Sequence, residues 1–361
     1  MMKILAAFDS FKESMTAYAA GEAVQRAYDN VHICPLADGG EGTMEVMNRY
    51  LHGDIHEIEV AGPLFKTVHA KLAIMDDFAI IESAQACGLD YLTEEEKNGT
   101  EATSYGVGEM MKYAYDHGVK RFLLTLGGSA CNDGGIGLLS GMGYGFFDQF
   151  DQRIPMNARG LETLDHIKKT RLDLSNIEVE CDVTNPLCGK EGATYVFGPQ
   201  KKVKDLEKTD QAMKHYAKIM SELVDKDDSC VPGAGAAGGM GYAIVTGLNG
   251  KLVTGFDAVS RTVRLEEAIQ KADIIFTGEG KMDHQTLYGK TPIGVLRLAQ
   301  KYNKPVVAFC GKCEDKETLL EAGFEDVRCI NHTDEPLSVL LEKGPQYLEE
   351  EVRRYLEEKN V

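Results

Sequence analysis

Short apolar runs, each the length of one buried strand, alternate with helical patterns along almost the whole chain. Residues 3–8 (KILAAF) read as a buried strand, and residues 16–28 follow with Ala17, Ala20, Val24 and Ala27 at helical spacing. Residues 78–81, 121–126, 273–276 and 305–309 repeat the strand pattern, and residues 104–115 and 292–302 repeat the helical one. Parallel strands need long crossovers, usually helical, so this alternation predicts an α/β fold with largely parallel sheets. Glycine makes up 38 of the 361 residues, against an average near 7%, and it clusters where apolar runs give way to helices. Ligands of open α/β sheets bind at the carboxyl ends of the strands, so these loops mark the expected site.

The length of 361 residues suggests two or three domains, at about 100–200 residues each. With 39 Lys+Arg against 57 Asp+Glu the net charge is −18, which argues against general binding to nucleic acid or anionic membranes. An anionic ligand would need local donors or a metal to overcome that field. No apolar run approaches the roughly 18 residues of a membrane span, and the first strand runs straight into Asp9 without a signal-peptide pattern. Nine scattered cysteines, an odd number, predict a reducing cytosol. Residues 201–228 read as a polar surface helix or a hinge, and residues 346–358 as a docking helix with Leu348, Val352 and Tyr355 on one face.

Three loops concentrate polar chemistry. Residues 125–135 (TLGGSACNDGG) follow the run RFLL and precede a helix start, so their amides can form an anion cradle. Ser129 and Asn132 can donate hydrogen bonds and Asp133 can hold a metal; the alternative is a tight turn capped by Asn and Asp. Residues 35–43 (PLADGGEGT) place Asp38 and Glu41 among glycines before a helix, as caps, metal ligands or a base. Residues 276–286 (FTGEGKMDHQT) bring Glu279, Lys281, Asp283 and His284 to one strand end. Acid, cation and base together suit phosphoryl transfer, although His284 alone is weak evidence.

Other motifs are decoys or remain open. Residues 232–241 (PGAGAAGGMG) contain Gly233-x-Gly235-x-x-Gly238, but polar and acidic residues stand where a dinucleotide fingerprint needs a strand. Gly289-Lys290-Thr291 lacks the first glycine of a P-loop, since position 284 is His. Cys310-x-x-Cys313 has no second pair to complete a zinc site and reads as two incidental thiols. In residues 9–14 (DSFKES), Lys12 either holds an anionic group or sits in an exposed turn.

Eight segments in order resemble the bacterial glycerate kinase family over nearly the whole chain. They are DSFKES, PLADGGEGT, ESAQACGL, TSYGVGEM, TLGGSACNDGG, CDVTNPLCGKEGATYVFGPQK, PGAGAAGGMG and TGEGKMDHQTLYGKTP. The resemblance implies transfer of the γ-phosphoryl group of ATP to D-glycerate with Mg²⁺. It also implies two α/β domains, one Rossmann-like with a parallel sheet and built from both chain ends, the other inserted into it, with the active site in the cleft between them. Carried over, residues 1–65 plus 260–361 would form the first and residues 66–259 the second. Cys131 stands where the family loop usually has Thr, which removes a hydroxyl donor.

Combined with the resemblance, the residues sort into expected roles. Asp38, Asp283 and Asp182 are the candidate catalytic carboxylates. Ser10, Lys12, Gly39, Gly40, Gly127, Gly128 and Ser129 are the candidate glycerate contacts. Asn132, Asp133, Gly134, Lys281 and Lys290 are expected at the nucleotide, and Asp182, Glu279 and Asp283 at Mg²⁺. The 2-hydroxyl of glycerate is the favoured acceptor over the 3-hydroxyl. A non-catalytic glycerate or nucleotide sensor and an NAD-dependent hydroxy-acid dehydrogenase are the rival readings.

Overall fold

Buried β-branched and aromatic runs form the strands, and the helices between them bury one apolar stripe each. The computed structural model describes the chain from Met1 to Asn360, apart from Asp38, Gly40, Glu41, His284, Gln285, Leu287, Tyr288, Gly289, Thr333 and Asp334. The expected catalytic Asp38 and substrate contact Gly40 therefore lie outside the described residues, as does His284. Among the described residues no helix is long and apolar enough to cross a membrane.

The chain divides into two units, one comprising residues 1–38, 45–50 and 256–361, the other residues 39–44 and 51–255. Residues 51–65 thus join the second unit, not the first as expected from sequence. The reason is local: strand Asp54–Ala61 pairs along its whole length with Thr67–Met75.

The first unit holds a parallel sheet in the order Val31–Ile33, Ile4–Ala6, Ile274–Met282, Val306–Cys313, Asp326–Cys329. In chain order this is 2-1-3-4-5, a doubly wound arrangement whose direction reverses between Ile4–Ala6 and Ile274–Met282. Helix Ala17–Ala27 starts at Thr16, whose hydroxyl accepts from the Ala19 amide at 3.1 Å. Helix Gly344–Glu358 buries Leu348, Val352 and Tyr355, the face expected from sequence. Phe276 packs edge-on against both Phe309 and Tyr355, with centroids 5.1 and 5.5 Å away.

The second unit holds a sheet in the order Lys251–Val253, Asn176–Glu180, Arg121–Thr125, Phe78–Glu82, Thr67–Met75, Asp54–Ala61. The first four run parallel, and the last two form an antiparallel meander. Asp54–Ala61 alternates exposed and covered positions, as suits an antiparallel edge with one wet face. Helix Leu206–Val224 buries Met213, Tyr216, Ala217 and Met220, so the polar segment is a packed helix and not a hinge.

Candidate active site

In the first unit, the strand reversal places Asp9 beside Gly278, whose carbonyl accepts from the Asp9 amide at 3.0 Å. The Asp9 carboxylate is buried. One oxygen accepts from the Ser10 amide at 2.6 Å and the other from the Thr291 hydroxyl at 2.6 Å. Residues 276–282 are not the loop expected from sequence. The strand continues to Met282, pairing Glu279 with Cys310 and Lys281 with Lys312. Gly278 permits this close pairing, since a Cβ there would lie 1.8 Å from the Phe309 carbonyl oxygen.

Glu279 accepts from the Thr286 hydroxyl at 2.9 Å and pairs with Lys290 at 3.2 Å. Lys281 pairs with Asp283 at 2.9 Å and Glu314 at 3.0 Å, and these carboxylates raise its pKa. Lys12 lies on the turn after the first strand, held by the Phe11 and Met15 backbones. Among the described residues it has no ion-pair partner. Lys12, Glu279, Lys281 and Lys290 line a hollow of about 660 Å³ together with Asp9 and Ser10. Its other wall is apolar, from Phe11, Ile330, Leu337, Leu340 and Leu341. Asn331 also lines it, donating to the Gly311 carbonyl at 2.7 Å, while its Oδ1 has no hydrogen-bond partner among the described residues.

In the second unit, parallel register aligns Glu82, Thr125 and Glu180 across the carboxyl edge of the sheet. Both glutamates are buried, at 4% and 1% exposure. Glu82 accepts from the amides of Gly42 and Met44 at 3.1 and 3.0 Å. Gly39 has φ +97, and a Cβ there would lie 2.0 Å from a Glu180 carboxylate oxygen. The positive φ favours glycine at this position, and a side chain there would displace the Glu180 carboxylate. Asp182 follows, exposed, accepting from the Gly255 amide at 3.3 Å. It belongs to the second unit, whereas its expected metal partners Glu279 and Asp283 belong to the first.

The glycine loop after Arg121–Thr125 splits in two. A Cβ on Gly127 would meet nothing within 4 Å, and one on Gly128 only the Ala84 Cβ at 3.9 Å. Past Ser129 the loop turns inward. Asp133 is fully buried and accepts from the Ser104 amide and hydroxyl, both at 2.8 Å, and from the Gly135 and Gly137 amides at 3.0 and 3.3 Å. Burial raises its pKa, and these donors oppose the rise. Expected at the nucleotide, Asp133 instead joins two helix starts. Gly134, also expected there, packs under Met213 and Tyr216. Asn132 is buried too, donating to the Thr194 hydroxyl at 2.9 Å. Helix Leu206–Val224 packs on Gly134, and the stretch 232–241 packs on Cys131, Asn132 and Gly134. Gly235, Gly238, Gly239 and Gly241 face backbone, with a Gly238 Cβ falling 2.2 Å from the Cys131 carbonyl oxygen. They leave no room for a pyrophosphate.

Lys201 reaches the same loop from elsewhere in the chain. Its ammonium donates to the Ser129 hydroxyl at 2.9 Å and the Cys131 carbonyl at 2.7 Å. Burial lowers its pKa. Lys201, Asp9, Glu82 and Glu180 were absent from the sequence-derived set of site residues. One signal existed for the glutamates: each is the last residue of a strand, Glu82 after the apolar run FAII and Glu180 after the alternating NIEV. Cys310 and Cys313 lie on strand Val306–Cys313, and all nine cysteines are free thiols.

A family model described as the glycerate kinase family matches residues 4–358. A Haemophilus influenzae protein named glycerate kinase is 39% identical over 364 residues, covering 96% of each chain. One of that name from Halalkalibacterium halodurans is 36% identical, covering 98% of this chain and 97% of its own. An Escherichia coli protein named glycerate 2-kinase is 38% identical, covering 87% and 86%. A crystal structure from Salmonella typhimurium LT2, described as a candidate glycerate kinase 2, superposes with a TM-score of 0.90 at 37% identity, covering 99% of this chain and 98% of that one.

Proposed function

The chain belongs to the glycerate kinase family, and from that premise we propose how its residues transfer the γ-phosphoryl group of ATP to the 2-hydroxyl of D-glycerate. The 2-position follows the name of the Escherichia coli relative. One observation carries the reading: the hollow of about 660 Å³ at the strand reversal joins a charged end to an apolar end, which fits a nucleotide.

The apolar wall of Leu337, Leu340, Leu341 and Ile330 suits the base, and Asn331 offers it an amide acceptor. The charged end suits the phosphates. Lys12, without an ion pair among the described residues, is the cation assigned to them, together with Ser10. This reassigns both from glycerate, because they line the same hollow as Lys281 and Lys290. Those two lysines already hold Asp283 and Glu279 and keep these carboxylates in place. In the second unit the Gly127–Ser129 loop is assigned to the glycerate carboxylate, since Gly127 and Gly128 leave space there, although Ser129 itself is buried.

Magnesium belongs to the proposal. Glu279 and Asp283 would hold it. Carboxylate oxygens suit this hard cation, which typically takes one or two protein carboxylates and fills its shell with phosphate and water. Bound there, it would neutralise charge on the phosphate oxygens. The loose transition state asks mainly for position and charge stabilisation, so the remaining task is a carboxylate to align the attacking hydroxyl. Asp38 remains the proposed aligner, because Asp283 is assigned to the magnesium. A reducing, cytosolic setting is also proposed, on the strength of nine free thiols.

The test is an ADP-release assay with D-glycerate and Mg-ATP, followed by proton-coupled ³¹P NMR of the product. The expected product is 2-phosphoglycerate. Lys12→Ala should raise KM for ATP about tenfold or more, as loss of a charge-assisted contact does, with KM for glycerate little changed. The reverse pattern would return Lys12 to glycerate, and absence of turnover would end the reading.

A further inference from the structure

Lys201 is 3% exposed, an unusual state for a lysine. Its ammonium makes two hydrogen bonds, to Ser129 Oγ and the Cys131 carbonyl. No carboxylate lies within ion-pair distance among the described residues. Asp133 and the thiols of Cys87 and Cys131 are the ionisable groups around it, and Asp133 already serves other donors. A buried charge without a close partner is costly, so its retention calls for a reason.

Anchoring the chain is not that reason. The Lys201 backbone does so independently, its amide donating to the Gly198 carbonyl at 3.1 Å and its carbonyl accepting from the Gly99 amide at 2.6 Å. The loop is likewise pinned by backbone, Leu89 to the Gly128 carbonyl at 2.8 Å and Ala130 to the Cys87 carbonyl at 2.7 Å. What the ammonium adds is direction. By occupying a lone pair of Ser129 Oγ, it turns the hydroxyl proton away from itself. That O–H has no acceptor among the described residues; Ser129 is itself 4% exposed, and two residues before it Gly127 faces open space.

We propose that Lys201 is a positioning residue that orients and polarises the Ser129 hydroxyl as a donor to the carboxylate of glycerate. This rests on the reading that the Gly127–Ser129 loop holds that carboxylate. Burial lowers the pKa of Lys201 in agreement, because an ammonium in this place lacks its solvation until an anion arrives.

The experiment compares Lys201→Met, Ser129→Ala and the double variant by steady-state kinetics, thermal melting and pH profile. Each single variant should raise KM for glycerate roughly tenfold, with KM for ATP unchanged, the size expected for one charge-assisted hydrogen bond. The double variant should be no worse than the worse single one, because both act through one hydroxyl. In the unmodified protein kcat/KM for glycerate should fall at alkaline pH, with a midpoint below the ordinary lysine value of 10.5, and Lys201→Met should lose that limb. An unchanged KM in Ser129→Ala would overturn the assignment of the loop to glycerate. A raised KM in Ser129→Ala with a normal one in Lys201→Met, or multiplying effects in the double variant, would overturn the role of Lys201 alone. Should Lys201→Met fail to fold, the alkaline limb decides: flattened in Ser129→Ala it supports the role, and identical in both proteins it refutes it.

Discussion

Two glycine-rich stretches of the second unit, 127–128 and 233–241, look alike as strings and live in opposite surroundings. At Gly127 and Gly128 a side chain would enter space that no protein atom crowds. At Gly235, Gly238, Gly239 and Gly241 it would strike backbone at 2.3, 2.2, 2.6 and 2.3 Å. Glycine is thus required in one stretch because the chain has already closed on itself. In the other, Gly128 still needs glycine for its φ of +61, but neither residue is crowded, and only there does room suggest a ligand. The same division runs through the loop 125–135, where the first glycines are open and Asp133 and Gly134 belong to the packed half.

The contrast can be broken by substitution. The largest effect is expected at the anchor of the packed half. Asp133→Ala strands four donors on Ser104, Gly135 and Gly137, and should cost about 3 kcal/mol or more, read from the urea midpoint. A stable variant with a raised KM for ATP would restore Asp133 to the nucleotide. Next comes Gly238→Ala, which combines φ +70 with an overlap at 2.2 Å. About 2–4 kcal/mol should be lost, with kinetics near normal in the folded fraction. Smallest in stability is Gly127→Ala, expected to stay within about 0.5 kcal/mol, since it meets no neighbour. Its effect should appear as a severalfold rise in KM for glycerate. Destabilisation without a kinetic change would erase the distinction between the two stretches.

The elements were legible because their signals are local. Ala17, Ala20 and Val24 declared one helix, and Leu348, Val352 and Tyr355 another, by spacing alone. Where strands end was less legible. GEGKM carries too many glycines and charges to read as a strand, yet partners at Cys310 and Lys312 extend Ile274–Met282 through it. The site was legible in part. Glu279, Lys281, Lys290, Lys12 and Ser10 line one hollow of the first unit. Glu82 and Glu180 went unnoticed because a glutamate on the last residue of a strand reads as a solvated end. Register places them with Thr125 on one sheet edge, and burial separates them from ordinary surface charges.

By itself the sequence determined the α/β class, the family and the loops that carry charge, since periodicity and motif are properties of neighbouring residues. Only the tertiary structure decided which glycines are open, which carboxylates are consumed by amides, and that Lys201 meets Ser129 across 72 positions of chain. The physical reason is that burial and hydrogen-bond partnership depend on atoms brought together by packing, and no window along a string contains both partners.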